Sequence, residues 1–354
     1  MKHHTKNKDI PKGYPVVALA GNPNVGKSTL FNNLTHGKKQ HTGNWTGVTT
    51  STAWGICSSP SHDYALVDIP GTYSLSSRSA EEEVARNFIC FEKHAAVVVV
   101  CDATCLERNL NLVLQIMECT DQVLVCVNFM DEAAKKDIHI DLDQLSDLLC
   151  VPVVGTYARK RSTLEPFLSR LDDLTESPAV PHYQVTYCRE LEKAISILEP
   201  SVSRWQCPSS SRSCKKAFSS RFIALRLLEN DPLFLQQLSA FFGKNPLSDP
   251  EISAANQQAV SYLNQKGLFP EGIQDRIVSG LVNSAEQIAS LCVTLPERNY
   301  NEKDRRLDRI LTGRLARGYP AMAALLALIF WITLVGANSL SALLSQLLFL
   351  FSLY

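Results

Sequence analysis

The sequence has no surplus of either charge: 35 Lys and Arg residues balance 35 Asp and Glu over 354 residues. The basic footprint of a nucleic-acid binder is missing, so no nucleic-acid partner is expected. Eleven cysteines, an odd number scattered from Cys57 to Cys292, include no pair at C-x-x-C spacing. That speaks against a disulfide framework, and the closest pair, Cys101 and Cys105, reads as ordinary packing. A reducing cytosol suits the water-facing part. The basic start from Met1 to Lys8 leads into Asp9-Ile10-Pro11 with no apolar run behind it, so no secretory leader is expected. Residues 1–14 should be a frayed tail.

What is present begins with Gly21-Asn22-Pro23-Asn24-Val25-Gly26-Lys27-Ser28-Thr29. The spacing is G-x-x-x-x-G-K-[ST], and each residue type has a physical task. Gly21 and Gly26 let backbone N–H groups approach phosphate oxygens, aided by the positive end of the next helix. Lys27 supplies a cation for the outer phosphates, and Ser28 a hydroxyl for Mg²⁺. The apolar run Val16 to Ala20 precedes the loop and Leu30 to Leu34 follows it, giving strand, loop, helix. A nucleoside triphosphate is the expected occupant.

Further apolar runs follow at Tyr64–Val67, Ala95–Val100, Gln122–Val127 and Val151–Gly155, each ending in polar residues. The first delivers Asp68-Ile69-Pro70-Gly71-Thr72, where an acid can bind Mg²⁺ through water and the Gly71 N–H can meet a γ-phosphate. Between it and the phosphate loop, Gly43 to Thr50 suits a mobile loop with a sensing threonine, though spacing alone does not choose which one. The third delivers Asn128-Phe129-Met130-Asp131. The Asp131 carboxylate can accept both N1–H and the 2-amino group of guanine. Adenine lacks both donors there, so the site should reject ATP by on the order of 2 kcal/mol or more. Asn128 braces the loop, and the Ala158 N–H in Thr156-Tyr157-Ala158 can reach guanine O6. Strands alternating with helices predict an α/β fold, a doubly wound parallel sheet with ligand along its C-terminal edge, over residues 15–175.

From about residue 182 to 300 the pattern becomes helical, with apolar residues three and four apart in Glu190–Leu198, Phe222–Glu229 and Ile273–Leu291. A small helical bundle is expected there, joined by a linker around Pro178 and Pro181, with a flexible loop at 208–213. Residues 301–318 are basic, with Lys303, Arg305, Arg306, Arg309, Arg314 and Arg317. The stretch 319–337 then carries no charge, which predicts a transmembrane helix with the basic side, and the nucleotide-binding region, in the cytoplasm. Residues 340–354 read as an interfacial helix or a second span cut short.

These residues resemble one family, ferrous iron transport protein B, a bacterial membrane protein with an N-terminal GTPase domain. The motifs that carry the likeness are GNPNVGKST at Gly21, GNWTGVT at Gly43, DIPGTYSL at Asp68, DATCLERNL at Asp102 and NFMD at Asn128. The resemblance implies that Gly47, Val48 and Thr49 close on GTP, and that Thr49 joins Ser28 and Asp68 on Mg²⁺. It implies a K⁺ ion held by Asn24 and carbonyls near Gly43 and Trp45, acting as an arginine finger does elsewhere. Asn24, Lys27, Thr49 and Gly71 are then the catalytic set. It implies also an inner-membrane location, a helical coupling domain, an Fe²⁺-conducting permease region and a homo-oligomer.

Three departures stand out. Tyr157 replaces the family's serine and Arg161 its glycine in the guanine loop. Thr72 stands where Ras-like enzymes carry the water-positioning glutamine, so hydrolysis should be slow. The family's permease continues beyond the point where this chain reaches Tyr354, and the last segment has no Cys, Asp, Glu or His for Fe²⁺. A non-hydrolysing GTP sensor is the second reading. A soluble GTPase of RNA or ribosome maturation is a third, opposed by the charge-free run and the neutral balance.

Overall fold

The computed structural model describes residues 13–35, 41–44, 51–76, 79–158, 163–178, 181–206, 218–295 and 318–333. Its contacts group the chain into Met1–Leu295 and Pro296–Tyr354. The first unit opens with β1 (Val16–Gly21), α1 (Lys27–Leu34), β2 (His41–Asn44), β3 (Ser51–Ser58), β4 (Asp63–Asp68), α2 (Ala80–Phe91) and β5 (Ala96–Asp102). It continues through α3 (Leu106–Cys119), β6 (Val123–Asn128), α4 (Met130–Lys135), β7 (His139–Ile140), α5 (Leu142–Leu149), β8 (Val153–Gly155) and α6 (Leu164–Glu176).

The valine run of β5 lies between β1 and β6, parallel to both, with Leu19 beside Val98 and Val97 beside Val123. A strand so placed is covered on both faces, which is why it reads as continuous apolar sequence. Its residues alternate between two cores. Val97, Val99 and Cys101 face the helices α2, α3 and α5, while Ala96, Val98 and Val100 face α1 and α6. Each buried valine contributes roughly 2 kcal/mol. The two-sided winding expected from the sequence is present.

The sheet order is β2-β3-β4-β1-β5-β6-β8, and only the last five strands are parallel. The parallel sheet expected from the sequence is present, and two antiparallel strands extend it at one edge. β3 and β4 are joined by a tight turn in which Ser59 N–H donates to the His62 carbonyl at 2.8 Å, and a hairpin connection forces antiparallel pairing. β2 then pairs antiparallel with β3. Of the segment expected to be a mobile loop, residues 43–44 belong to β2, and 45–50 lie outside the described residues.

The helical segment comprises α7 (Arg189–Gln206), α8 (Ser220–Glu229), α9 (Pro232–Phe242), α10 (Pro250–Gln265) and α11 (Pro270–Cys292), ending in β9 (Val293–Thr294). The sequence pattern does not mark α9 and α10. Each starts on an aspartate cap followed by proline, Asp231-Pro232 and Asp249-Pro250. The loop expected at 208–213 lies outside the described residues.

This bundle shares one continuous core with the sheet side that carries α2, α3 and α5. The long α11 lies against α3 and α5, and β9 pairs antiparallel with β7, Ile140 beside Val293. Polar bonds cross the same junction. The Tyr187 hydroxyl donates to Glu118 on α3, and Arg226 of α8 lies between Glu229 and Glu118. Burial pushes the carboxyls of Glu118 and Glu229 above their usual range, against the opposing pull of Arg226.

Gly280 of α11 runs directly against the Tyr187 ring, so a Cβ there would stand 2.6 Å from Tyr187 Cδ1. Alanine favours an exposed helix over glycine by about 1 kcal/mol, but forcing this contact costs about 1–3 kcal/mol. Gly280→Ala should therefore lower the thermal unfolding midpoint. A midpoint equal to or above that of the wild type would mean that the ring yields freely.

In the second unit the described helix spans Gly318–Trp331 and is apolar, with Leu325, Leu326, Phe330 and Trp331 all exposed. Of the span expected over 319–337, residues 334–337 lie outside the described part, and the described α-helix accounts for 14 residues of it and its approach. Among the described residues no helix is long and apolar enough to cross a membrane. Residues 334–354, with the second segment expected there, lie outside the described part.

Candidate nucleotide site

Parallel strands bring their C-terminal ends to one edge of the sheet, so β1, β4, β6 and β8 deliver their following loops to a common place. A cavity of about 640 Å³ lies there. Its walls include the phosphate-loop residues Asn22, Pro23, Asn24, Gly26, Lys27, Ser28 and Thr29, then Gly71, then Asp131, Tyr157 and Ala158. Four loops far apart in sequence thus line one space.

At the phosphate end, Lys27 Nζ donates to the Asp68 carboxylate and to the Ile69 carbonyl. Ser28 Oγ donates to the other Asp68 oxygen at 3.2 Å. A hydroxyl and a carboxylate oxygen side by side are the donor set a hard divalent cation takes, so Ser28 and Asp68 fit Mg²⁺. Asn24 holds a left-handed backbone, φ 66°, on the cavity wall. Asn22 is buried, and its Oδ1 has no partner among the described residues. Gly21 ends β1, and Val25 is packed into the core below the loop.

At the other end Asn128, fully buried, ties the loops together. Its Nδ2 donates to the Val25 carbonyl at 3.0 Å, and its Oδ1 accepts from the Ala158 N–H at 2.9 Å. These two bonds join the phosphate loop to the loop that carries Ala158. The Ala158 N–H, expected to reach guanine O6, is engaged by Asn128 in this arrangement. Thr156 is buried beside it, 3.2 Å from Cys126 Sγ, and burial pushes that thiol up to about 12. Tyr157 is held on both backbone sides by Thr163 Oγ1, at 3.2 Å from its N–H and 3.2 Å from its carbonyl.

Gly47, Val48, Thr49 and Trp45 lie outside the described residues, as does Arg161, and Gly43 belongs to β2. Residues that pattern reading missed are Phe129 and Glu132, which line the cavity, and Asn33, whose Nδ2 donates to the Ala158 carbonyl at 2.6 Å. Phe129 has a left-handed backbone, φ 60°, an unusual state for a bulky residue. Its place inside the N-x-x-D motif was a signal for it, whereas nothing in a helical asparagine such as Asn33 announces a partner across the fold.

Comparison with known proteins adds an independent line. Residues 15–171 match the family model described as ferrous iron transport protein B, and residues 187–294 match that of the FeoB cytosolic helical domain. The Fe(2+) transporter FeoB of Staphylococcus aureus strain COL is 30% identical over 316 residues, covering 89% of this chain and 44% of the relative. The chain thus spans less than half of that relative's length. Among solved structures, the cytosolic domain of T. maritima FeoB in a GDP form aligns with TM-score 0.63 and 28% identity, covering 80% of this chain and 100% of that one. A GDP-bound S. thermophilus NFeoB mutant aligns with TM-score 0.63 and 30% identity, covering 78% of this chain and 99% of that one.

Proposed function

Because the chain belongs to the ferrous iron transport protein B family, we propose that it is the GTP-binding, slowly GTP-hydrolysing part of an Fe²⁺ transporter, whose nucleotide state gates iron uptake. The carrying observation is the single cavity that joins Lys27, Ser28 and Gly71 at one end to Asp131, Tyr157 and Ala158 at the other. Two similar proteins were solved in GDP forms, which supports the guanine assignment.

Residues 15–175 are the GTPase region and 182–300 the helical coupling region. The basic segment 301–318 and the apolar residues beyond it attach the chain to the inner membrane, GTPase on the cytoplasmic side. The exposed apolar face of Gly318–Trp331 favours lipid or a membrane partner. Fe²⁺ passes through a permease region with which this part acts, and the assembly is a homo-oligomer.

In this reading Gly21, Asn22, Pro23, Val25, Gly26 and Thr29 shape the loop around the phosphates, and Lys27 leaves Asp68 to meet them. Asp131 reads the guanine edge while Asn128, Thr156, Tyr157 and Ala158 hold the base loop. Mg²⁺ on Ser28, Asp68 and Thr49 would supply charge neutralisation at the phosphates. Asn24, with carbonyls near Gly43 and Trp45, would hold K⁺. Gly47, Val48 and Thr49 on one side and Gly71 on the other meet the terminal phosphate.

Slow turnover has a physical basis in Thr72. It is 1% exposed, and its hydroxyl donates to the Ser74 carbonyl at 2.6 Å, so it presents no group to orient an attacking water. The same observation favours the second reading, a GTP sensor that does not hydrolyse. Phosphate release by the full chain separates the two. Turnover that is faster in KCl than in NaCl is the expected result. Equal rates in both salts remove the K⁺ site, and binding without any release leaves the sensor.

A further inference from the structure

We propose that Gln115 of α3 is a positioning residue for the phosphate-sensing segment Gly71–Ser76, holding it in the arrangement described above and yielding it when a terminal phosphate binds. This deepens the GTP reading and rests on it. Gln115 is 8% exposed, so its amide needs partners inside the fold. Its Oε1 accepts from Ser74 Oγ at 2.9 Å and from the Leu75 N–H at 2.8 Å. Ser74 is in turn bonded to its neighbours. Its Oγ accepts from the Ser76 N–H at 3.0 Å, and its carbonyl accepts from Thr72 Oγ1 at 2.6 Å. One oxygen on a rigid helix therefore fixes the path of the chain from Thr72 to Ser76.

The segment is anchored at its near end too. The Thr72 N–H donates to the Gly21 carbonyl at 3.2 Å, and Lys27 binds Asp68 and the Ile69 carbonyl just before it. A terminal phosphate competes for Lys27 and for the Gly71 N–H, so it pulls on the near end. That pull is resisted at the far end by Gln115. The far end also has space beside it. Leu75, Ser76 and Gln115 form one wall of a cavity of about 300 Å³, and Phe222, Arg226 and Asp231 of the helical segment form the facing wall. Bonds made in one arrangement and broken in the other bias the equilibrium between them, so Gln115 sets how strongly the segment resists GTP.

The test compares affinities for GDP and for the non-hydrolysable analogue GMPPNP, by calorimetry on the full chain. Gln115→Met keeps the length of the side chain and removes the acceptor, and Gln115→Glu keeps an acceptor. The methionine variant should shift the affinity ratio toward GMPPNP on the order of tenfold, the factor that two ordinary buried hydrogen bonds supply. The glutamate variant should stay near the wild-type ratio. Ser74→Ala, which spares α3, should move the ratio the same way by less. Equal weakening of both nucleotides in the methionine variant, a glutamate variant that behaves like it, or an unchanged ratio in Ser74→Ala overturns the proposal. Wild-type chain that binds neither nucleotide sinks the GTP reading itself, an outcome visible before any variant is made.

Discussion

Alanine at position 26 is expected to abolish measurable guanine nucleotide binding. Gly26 has φ +84°, and a non-glycine residue held in the left-handed region costs roughly 1–2 kcal/mol. The larger effect is steric. A Cβ here would overlap Asn128 Nδ2 and stand 3.0 Å from Phe129 Cζ. Asn128 cannot move aside cheaply, since its two polar atoms join the Val25 carbonyl to the Ala158 N–H. Displacing it leaves buried groups unpaired at about 1–3 kcal/mol each and separates the phosphate loop from the base loop. Calorimetry with GDP on Gly26→Ala should give no heat of binding under conditions where wild type saturates. Retained affinity within a few-fold of wild type would show that the two loops are not mechanically joined through Asn128.

The second large effect is at Asp131, whose place on the cavity wall suits it to read the base edge. Asp131→Asn replaces a two-oxygen acceptor with one acceptor and one donor, and the donor faces the 2-amino group of guanine. A lost charge-assisted bond and an opposed donor pair cost at least about 2 kcal/mol, so GDP affinity should fall roughly 30-fold or more. Xanthosine diphosphate presents an oxygen at that position and should gain affinity over the same substitution. If the variant holds GDP as tightly as wild type, Asp131 does not read the base and the preference for guanine has another source.

The parallel part of the fold was legible in the sequence because its strands are buried on both faces. Runs such as Val97 to Val100 leave no polar alternation to confuse them with anything but core. The candidate site residues of those loops stood out for a related reason: Gly21, Asp68 and Asn128 end such strands, and the others lie in the loops that follow. The antiparallel edge was not legible. β3 carries Gly55, Ser51 and Ser58 among its apolar residues, and its strand character comes from pairing with β4 and not from its own pattern. Gln115 and Asn33 were illegible on different grounds. Each is a polar residue on a helix whose role is fixed by a neighbour 40 or 125 positions away in the chain. Pattern reading finds periodicity and spacing, and neither residue has any.

The pairing of β7 with β9 bears on how the chain is made. α3 is buried almost all the way round, one flank by the sheet and another by α11, yet α11 and β9 are among the last parts of this unit to leave the ribosome. Until α11 emerges, the flank of α3 that it covers stands open on the nascent chain. Such an intermediate is a natural client for holding chaperones, and the tempo of translation through the helical segment sets how long it must be guarded.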